Sequence, residues 1–409
     1  MAGPAFLHGV ETIEIPQALR PIRQVKTAVI GLVGTAPIHL LDDTDRSIND
    51  PVLVLGDQDA AKKAGPQRPG FTIPQALDAI FDQGAGTVVV VNVFDPSVHK
   101  QSVTDETLTL ASDGTAVTAN PDIITLTLTS SDGATTYVAG DDYTLDKATG
   151  TITRRADGQI ASGADLKASY DHADPSMVTA GDIIGGTETG GDRTGAQAWL
   201  DSFNLFGFFP KILIAPVFST QASVAAEMRV LAQKDKCRAI GLIDAPIGTT
   251  RDEALSGRGP EGDINFNVAD NRVVLCYPHL RVFDTTTETE RLEPYSQRLA
   301  GVIAATDMAL GYWYSPSNRS ILGITGVERK LSARINDPNS DVNLLNEAGI
   351  VTLFNSFGSG LRTWGNRSSA WPSSTAQRQF IQTQRTLDVV AESIELSMLQ
   401  FLDGPVTRA

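Results

Sequence analysis

Residues 86–94 read GTVVVVNVF, a run that is apolar on both faces and dominated by β-branched side chains. Residues 26–34, KTAVIGLVG, repeat the pattern, and Pro51–Leu55 adds a third short run. Strands of this kind are buried on both sides, as in parallel sheets, rather than alternating apolar and polar. Between them Pro74–Gln83 reads as a helix, with proline near its first turn where it is tolerated. Strands alternating with helices predict a mainly parallel sheet covered on both faces. The pattern resumes after the glycine-rich stretch Gly185-Gly186 and Gly190-Gly191. Gly195–Leu205 is helical, Lys211–Val217, Arg238–Asp244 and Arg272–Tyr277 read as strands, and Thr220–Lys234 and Pro294–Tyr312 as helices. On the last of these Leu299, Val302, Ile303 and Thr306 fall on one face. A long final helix is expected from about Thr375 to Phe401.

The stretch between Pro96 and Val178 is different. It has no Cys or Trp, its only aromatics are Tyr137, Tyr143 and Tyr170, and it carries twelve acidic against five basic residues. Short alternating runs such as Ile123–Thr129, Thr151–Arg154 and Leu166–Tyr170 are separated by turns such as Ser131-Asp132-Gly133 and Ala156-Asp157-Gly158. This spacing predicts an acidic β-sandwich or barrel inserted into one α/β domain. The expected organisation is an N-terminal arm over 1–20, a discontinuous core over 21–95 and 179–409, and the insertion over 96–178.

Composition narrows the function. The 409 residues hold 33 Lys and Arg against 48 Asp and Glu, a net charge of −15. So acidic a surface repels phosphate backbones, which disfavours direct nucleic-acid binding and docking on anionic membranes. The longest apolar runs, Val88–Val91 and Leu205–Phe209, fall far short of the ~18 residues of a spanning helix, so no membrane insertion is expected. The first fifteen residues lack the basic and apolar regions of a secretory signal. With only Cys237 and Cys276, a disulfide framework or cysteine metal site is not expected, and a reducing cytoplasm is.

Chemical motifs are weak throughout. Gly31-Leu-Val-Gly34 follows a strand but lacks the Lys-Ser/Thr of a phosphate loop and the third glycine of a dinucleotide turn, and Gly358-Ser-Gly360 is likewise incomplete. Asp337, Asn339, Asp341 and Asn343 alternate like half of a calcium loop, yet Val342 replaces the central glycine, so a polar turn before a helix is expected. The five histidines (His8, His39, His99, His172 and His279) show no metal-binding spacing. No G-x-S-x-G elbow is present, Cys276 lies in an apolar strand, and Asp141-Asp142 read as solvated turn residues. No catalytic, cofactor-binding or metal residue is expected.

Longer motifs carry more. Residues 294–328 read PYSQRLAGVIAATDMALGYWYSPSNRSILGITGVE, and residues 344–369 read LLNEAGIVTLFNSFGSGLRTWGNRSS. Together with His8–Val10, AVIGLVGTAP over 28–37, Gln384-Arg385-Thr386 and Glu392-Ser393-Ile394, they resemble the tail sheath proteins of contractile-tailed bacteriophages. The resemblance is ordered and spans the whole α/β part; the insertion matches more loosely.

The resemblance implies a subtilisin-like core topology without enzymology, since no Asp/His/Ser motif of the subtilisins is present. It implies a subunit that polymerises helically around a tail tube in the virion tail, assembled in the host cytoplasm. Contraction would drive the tube through the host envelope for DNA delivery. Partners would be other copies of the chain, the tail tube protein, and the baseplate and tail terminator proteins. Extended arms exchange strands between neighbours in this family, and Val10, Ile13 and Ile15 within Ala5–Ile15 suit such an arm. Family members continue past the long helix, whereas this chain stops at Ala409; a shortened chain, monomeric or a small oligomer, is therefore expected. Arg362, Trp364 and Arg367 are candidate interface residues, with Trp364 in the core and local arginine pairs the favoured reading. The alternatives are the sheath of an R-type tailocin, extracellular injection system or type VI secretion system. Outside that class stand an α/β hydrolase with a β binding module and a cell-surface binding protein.

Overall fold

The computed structural model describes residues 25–84, 86–260, 262–284, 288–334, 336–355 and 360–399. The expected arm, with Val10, Ile13 and Ile15, lies outside them. The described chain opens with β1 (Ile30–Gly34) and β2 (Val52–Val54); α1 (Asp57–Ala64) and α2 (Ile73–Phe81) then lead to β3 (Val88–Asn92). Seven strands follow: β4 (Lys100–Thr109), β5 (Thr115–Val117), β6 (Ile123–Ser130), β7 (Thr136–Tyr137), β8 (Tyr143–Asp146), β9 (Thr151–Arg154) and β10 (Asp165–Ala173). Helices then alternate with strands: α3 (Ala180–Ile184), α4 (Ser202–Phe206), β11 (Ile212–Ile214), α5 (Ala222–Leu231), β12 (Ile240–Asp244), α6 (Arg251–Ser256) and β13 (Val273–Cys276). The hairpin β14 (Leu280–Asp284) and β15 (Thr289–Glu293) precedes α7 (Tyr295–Ala309) and β16 (Gly326–Val327). The rest is α8 (Asp341–Glu347), β17 (Ile350–Asn355), β18 (Leu361–Trp364) and α9 (Ile381–Met398).

Eight strands form one sheet in the order β2-β3-β1-β11-β12-β13-β17-β18. The six inner strands run parallel, and the two edge strands are antiparallel. Val52–Val54 is thus not one of the parallel strands: it turns back on β3, and its edge position leaves Val52 and Leu53 half-buried. Val88 to Val91 are all buried, as expected of a strand covered on both faces.

Helix α7 is not amphipathic in the expected sense. Leu299, Val302, Ile303 and Thr306 are buried, but so are Tyr295, Ser296, Gln297, Arg298, Ala300 and Ala304. It lies between the sheet and α2, and Gly301 permits the approach: a Cβ there would stand 2.7 Å from Cγ of Gln83. Arg298 is accommodated because Glu293 and Asp82 (2.8 Å) hold its guanidinium.

The inserted strands make two antiparallel sheets, β4-β10-β6-β7 and β5-β9-β8, with an apolar core of their own. Ile123, Leu128, Ile152 and Leu166 are fully buried there. Lys100 pairs with Ala173, so the chain leaves and rejoins the α/β part side by side.

Candidate assembly surfaces

In open α/β sheets, chemistry is built at the carboxyl ends of the strands. Here that end is packed at the exits of β12 and β1. Asp244 closes β12 with 2% exposure; its Oδ1 accepts from the backbone N of Ser296 at 2.8 Å, and Ser219 Oγ donates to Oδ2 at 3.3 Å. The carboxyl thereby caps the N-terminus of α7, whose orphan N–H groups need an acceptor. Burial pushes the Asp244 carboxyl up, and nearby His279 with the Ser296 and Ser219 hydrogen bonds opposes the rise. A serine, a histidine and an aspartate do converge here, but Asp244, Ser219, Ser296 and His279 are all buried. The exit of β1 is closed as well: Thr35 N donates to Thr72 Oγ1 at the start of α2, and a Cβ on Gly34 would stand 2.2 Å from that oxygen. Among the described residues no group of three or more His, Cys, Asp or Glu could hold a metal ion, and no helix is long and apolar enough to cross a membrane.

The final helix buries charged side chains together with Ile381 and Val389 and leaves an apolar stripe outside. Three of its four charged residues, Arg385, Asp388 and Glu392, are buried against the molecule, and the exposed Glu395 reaches back to Arg238. Arg385 makes two hydrogen bonds to Asp307 (2.6 and 2.5 Å), and Arg272 makes two to Asp388 (2.7 and 2.5 Å). Lys211 meets Glu392 at 2.5 Å and Arg238 meets Glu395 at 2.9 Å. Desolvation lowers the Lys211 ammonium, and Glu392 pulls it back up. Lys211, Arg238 and Arg272 sit just before the inner strands β11, β12 and β13, so the helix lies across the amino ends of the sheet. Leu387, Val390, Ile394 and Met398, spaced three or four apart, are left 42–55% exposed on the outside. An ordinary surface helix does the opposite. Beside its end, a cavity of about 310 Å³ opens between Phe203, Phe209, Lys234, Lys236, Leu396 and Leu399.

The three expected interface residues near the end of the sheet do not form one cluster. Trp364 is half-buried, its ring 4.5 Å from that of Phe354 across β17–β18. Arg362 lies on the same edge strand opposite Phe354, bridging to Ser320, with its buried Nε unpartnered. Arg367 stacks at 4.0 Å over Trp371. More conspicuous is a neighbouring group absent from the expected set: Met308, Trp313, Tyr314 and Leu322 are 44–62% exposed. Trp313 is fixed over Gly311, where a Cβ would come within 2.5 Å of the ring.

Other expectations meet the structure as follows. Asp141 is solvated, but Asp142 is not: it is 2% exposed and accepts from the backbone N of Val138 and of Gln159, both at 2.8 Å. The turn needs its carboxylate as an internal acceptor, which a reading of turn composition misses. Asp337 accepts from Asn339 N at 3.0 Å in the turn before α8. Cys237 and Cys276 are both buried, and burial raises the Cys237 thiol to about 12.

The sheet thus has packed exits at β1 and β12 and, at its opposite end, a helix that shows an apolar stripe outward. Comparison with known proteins gives the class. The family model described as phage tail sheath protein central domain matches residues 191–369, and a family of unknown function matches 96–181. The tail sheath protein of Burkholderia phage BcepMu is 53% identical over 405 residues, 98% of this chain and 83% of that protein. The tail sheath protein of Escherichia phage P2 is 27% identical over 98% of this chain and 78% of its own length. The contracted helical sheath of the anti-feeding prophage shares the fold, with a TM-score of 0.54 at 15% identity over 99% of this chain and 79% of that one. The chain belongs to the phage tail sheath protein family and is a subunit of a contractile tail sheath.

Proposed function

We propose that this sheath subunit polymerises helically around a tail tube and is assembled in a long form in the host cytoplasm. On triggering by the baseplate it shortens and drives the tube through the host envelope. Its partners are other copies of itself, the tube, the baseplate and the tail terminator. The carrying observation is the 53% identity to a tail sheath protein over 98% of the chain. The exposed apolar stripe of Leu387, Val390, Ile394 and Met398 on α9 supports it physically. On a chain of net charge −15, it is a surface where copies can meet without apposing like charges. Heterologous contacts that do not close into a ring generate a helix, and bistable contacts let it contract.

The subunit acts without catalysis, a reading supported by the packed state of Asp244, Ser219 and His279. A subtilisin-like topology is supported by the six parallel strands, and an insertion over 96–178 by its separate core. Negative-stain electron microscopy of the purified protein, alone and with tube protein, tests the function. Tubes or stacked rings are expected; monodisperse particles under both conditions refute the reading.

A further inference from the structure

The joint between the inserted β unit and the α/β part is built around one carboxylate. Asp122, immediately before β6, has a left-handed backbone (φ 59°), a conformation Asp tolerates better than most residues. Its side chain is 9% exposed and points at the loop between α1 and α2. There Arg68 donates from Nε to Oδ1 at 2.7 Å and from Nη2 to Oδ2 at 3.1 Å. The same guanidinium also donates to the backbone oxygen of Ala148, in a second turn of the insertion. His39, buried between Phe71 and Phe94, brings Nε2 to 3.7 Å from Oδ1, too far for a hydrogen bond. The backbone of Asp122 accepts from Ala173 N at 2.9 Å, and Asp174 N donates to His99 O at 3.0 Å. The two crossing segments are therefore tied together where they meet Asp122.

Apolar contacts also cross the joint: Ile124 packs against the main core, to which Ala173 and Val178 belong. Such contacts are non-directional, however, and permit sliding. A two-point guanidinium–carboxylate pair fixes both angle and register. Buried pairs add little net stability but can specify a single arrangement. On the other side of Arg68 lies an open cleft of about 520 Å³, lined also by Asp78, Phe283, Asp284 and Arg291.

We propose that the Arg68–Asp122 pair is a latch that sets the angle of the inserted unit, so that the unit travels with the core as one rigid arm. This goes beyond the sheath reading and does not depend on polymerisation. The test places spin labels at Ser131→Cys, on an exposed turn of the insertion, and at Gln58→Cys, on the exposed face of α1, in the whole protein. Cys237 and Cys276 are buried and leave the labelling specific. A single narrow distance distribution is expected, broadening at least twofold in Arg68→Ala and in Asp122→Asn while far-UV dichroism is unchanged. Distributions as narrow as in the unsubstituted protein in both variants would overturn the latch, since the apolar contacts alone would then hold the angle. A broad distribution before any substitution would overturn the rigid arm. If a variant misfolds, the milder Arg68→Lys decides: it keeps the charge but loses two-point geometry, and must broaden the distribution.

Discussion

Replacing Asp388 by Ala removes one carboxylate from the seat of α9. Arg272 is 8% exposed, and its guanidinium then keeps only the backbone oxygen of Ala239 at 3.2 Å. Gln384 also loses its acceptor at 3.1 Å. Two charge-assisted hydrogen bonds vanish and a buried cation is stranded. Breaking such a pair from one side costs about 3–5 kcal/mol. An exposed pair would cost under about 1 kcal/mol. Against a typical total of about 5–15 kcal/mol, the loss is large. Urea titration followed by far-UV dichroism measures it as a lower midpoint with an unchanged slope. Arg272→Met combined with Asp388→Leu removes both charges and keeps apolar volume, so it is expected to recover most of the loss. A cost below about 1 kcal/mol for Asp388→Ala, or no recovery in the double variant, would refute the view that this helix is seated by buried charge.

Further expectations follow from single sites. Gly185 has φ 70°, and a Cβ there would stand 1.8 Å from the Thr194 oxygen; Gly185→Ala should cost of order 1–3 kcal/mol in backbone strain, with the clash added, read as a lower melting temperature. Thiol titration at pH 8 should label neither cysteine in the folded protein and both in denaturant, since burial raises Cys237 to about 12 and Cys276 well above its ordinary value. Burial would raise the Asp122 carboxyl, but His39 and Arg68 outweigh it and hold it below the ordinary range. Its contribution is therefore present above the unfolded value of about 3.9 and is lost as pH falls through the folded one. Stability curves from pH 6 down to 2 should show Asp122→Asn with a shallower acid decline than the unsubstituted protein.

The alternation of strands and helices was legible because it needs only local chemistry. Val88–Val91 can be neither a solvated strand nor a turn, and the Ser-Asp-Gly and Ala-Asp-Gly turns of 96–178 mark hairpins wherever they occur. Direction was less so: Val52–Val54 has the composition of its neighbours, and only its pairing with β3 makes it an antiparallel edge. Buried carboxylates were illegible for the same reason. Asp142 and Asp244 look like solvated turn and strand-end residues until the donors that meet them, Gln159 N and Ser296 N, arrive from elsewhere in the chain.

The last helix shows the division most plainly. Its sequence contains two stripes at helical spacing, one of Arg385, Asp388, Glu392 and Glu395, the other of Leu387, Val390, Ile394 and Met398. Periodicity establishes that the segment is an amphipathic helix and says nothing further. By the ordinary rule the apolar stripe goes in. The reverse holds because Lys211, Arg238, Arg272 and Asp307, scattered over almost a hundred residues, converge at the amino ends of the sheet. Once those charges are gathered, burying them without partners would cost more than leaving four apolar side chains in water. Composition and local pattern decided which elements form; the meeting of distant charges decided which face of α9 the subunit shows to its surroundings.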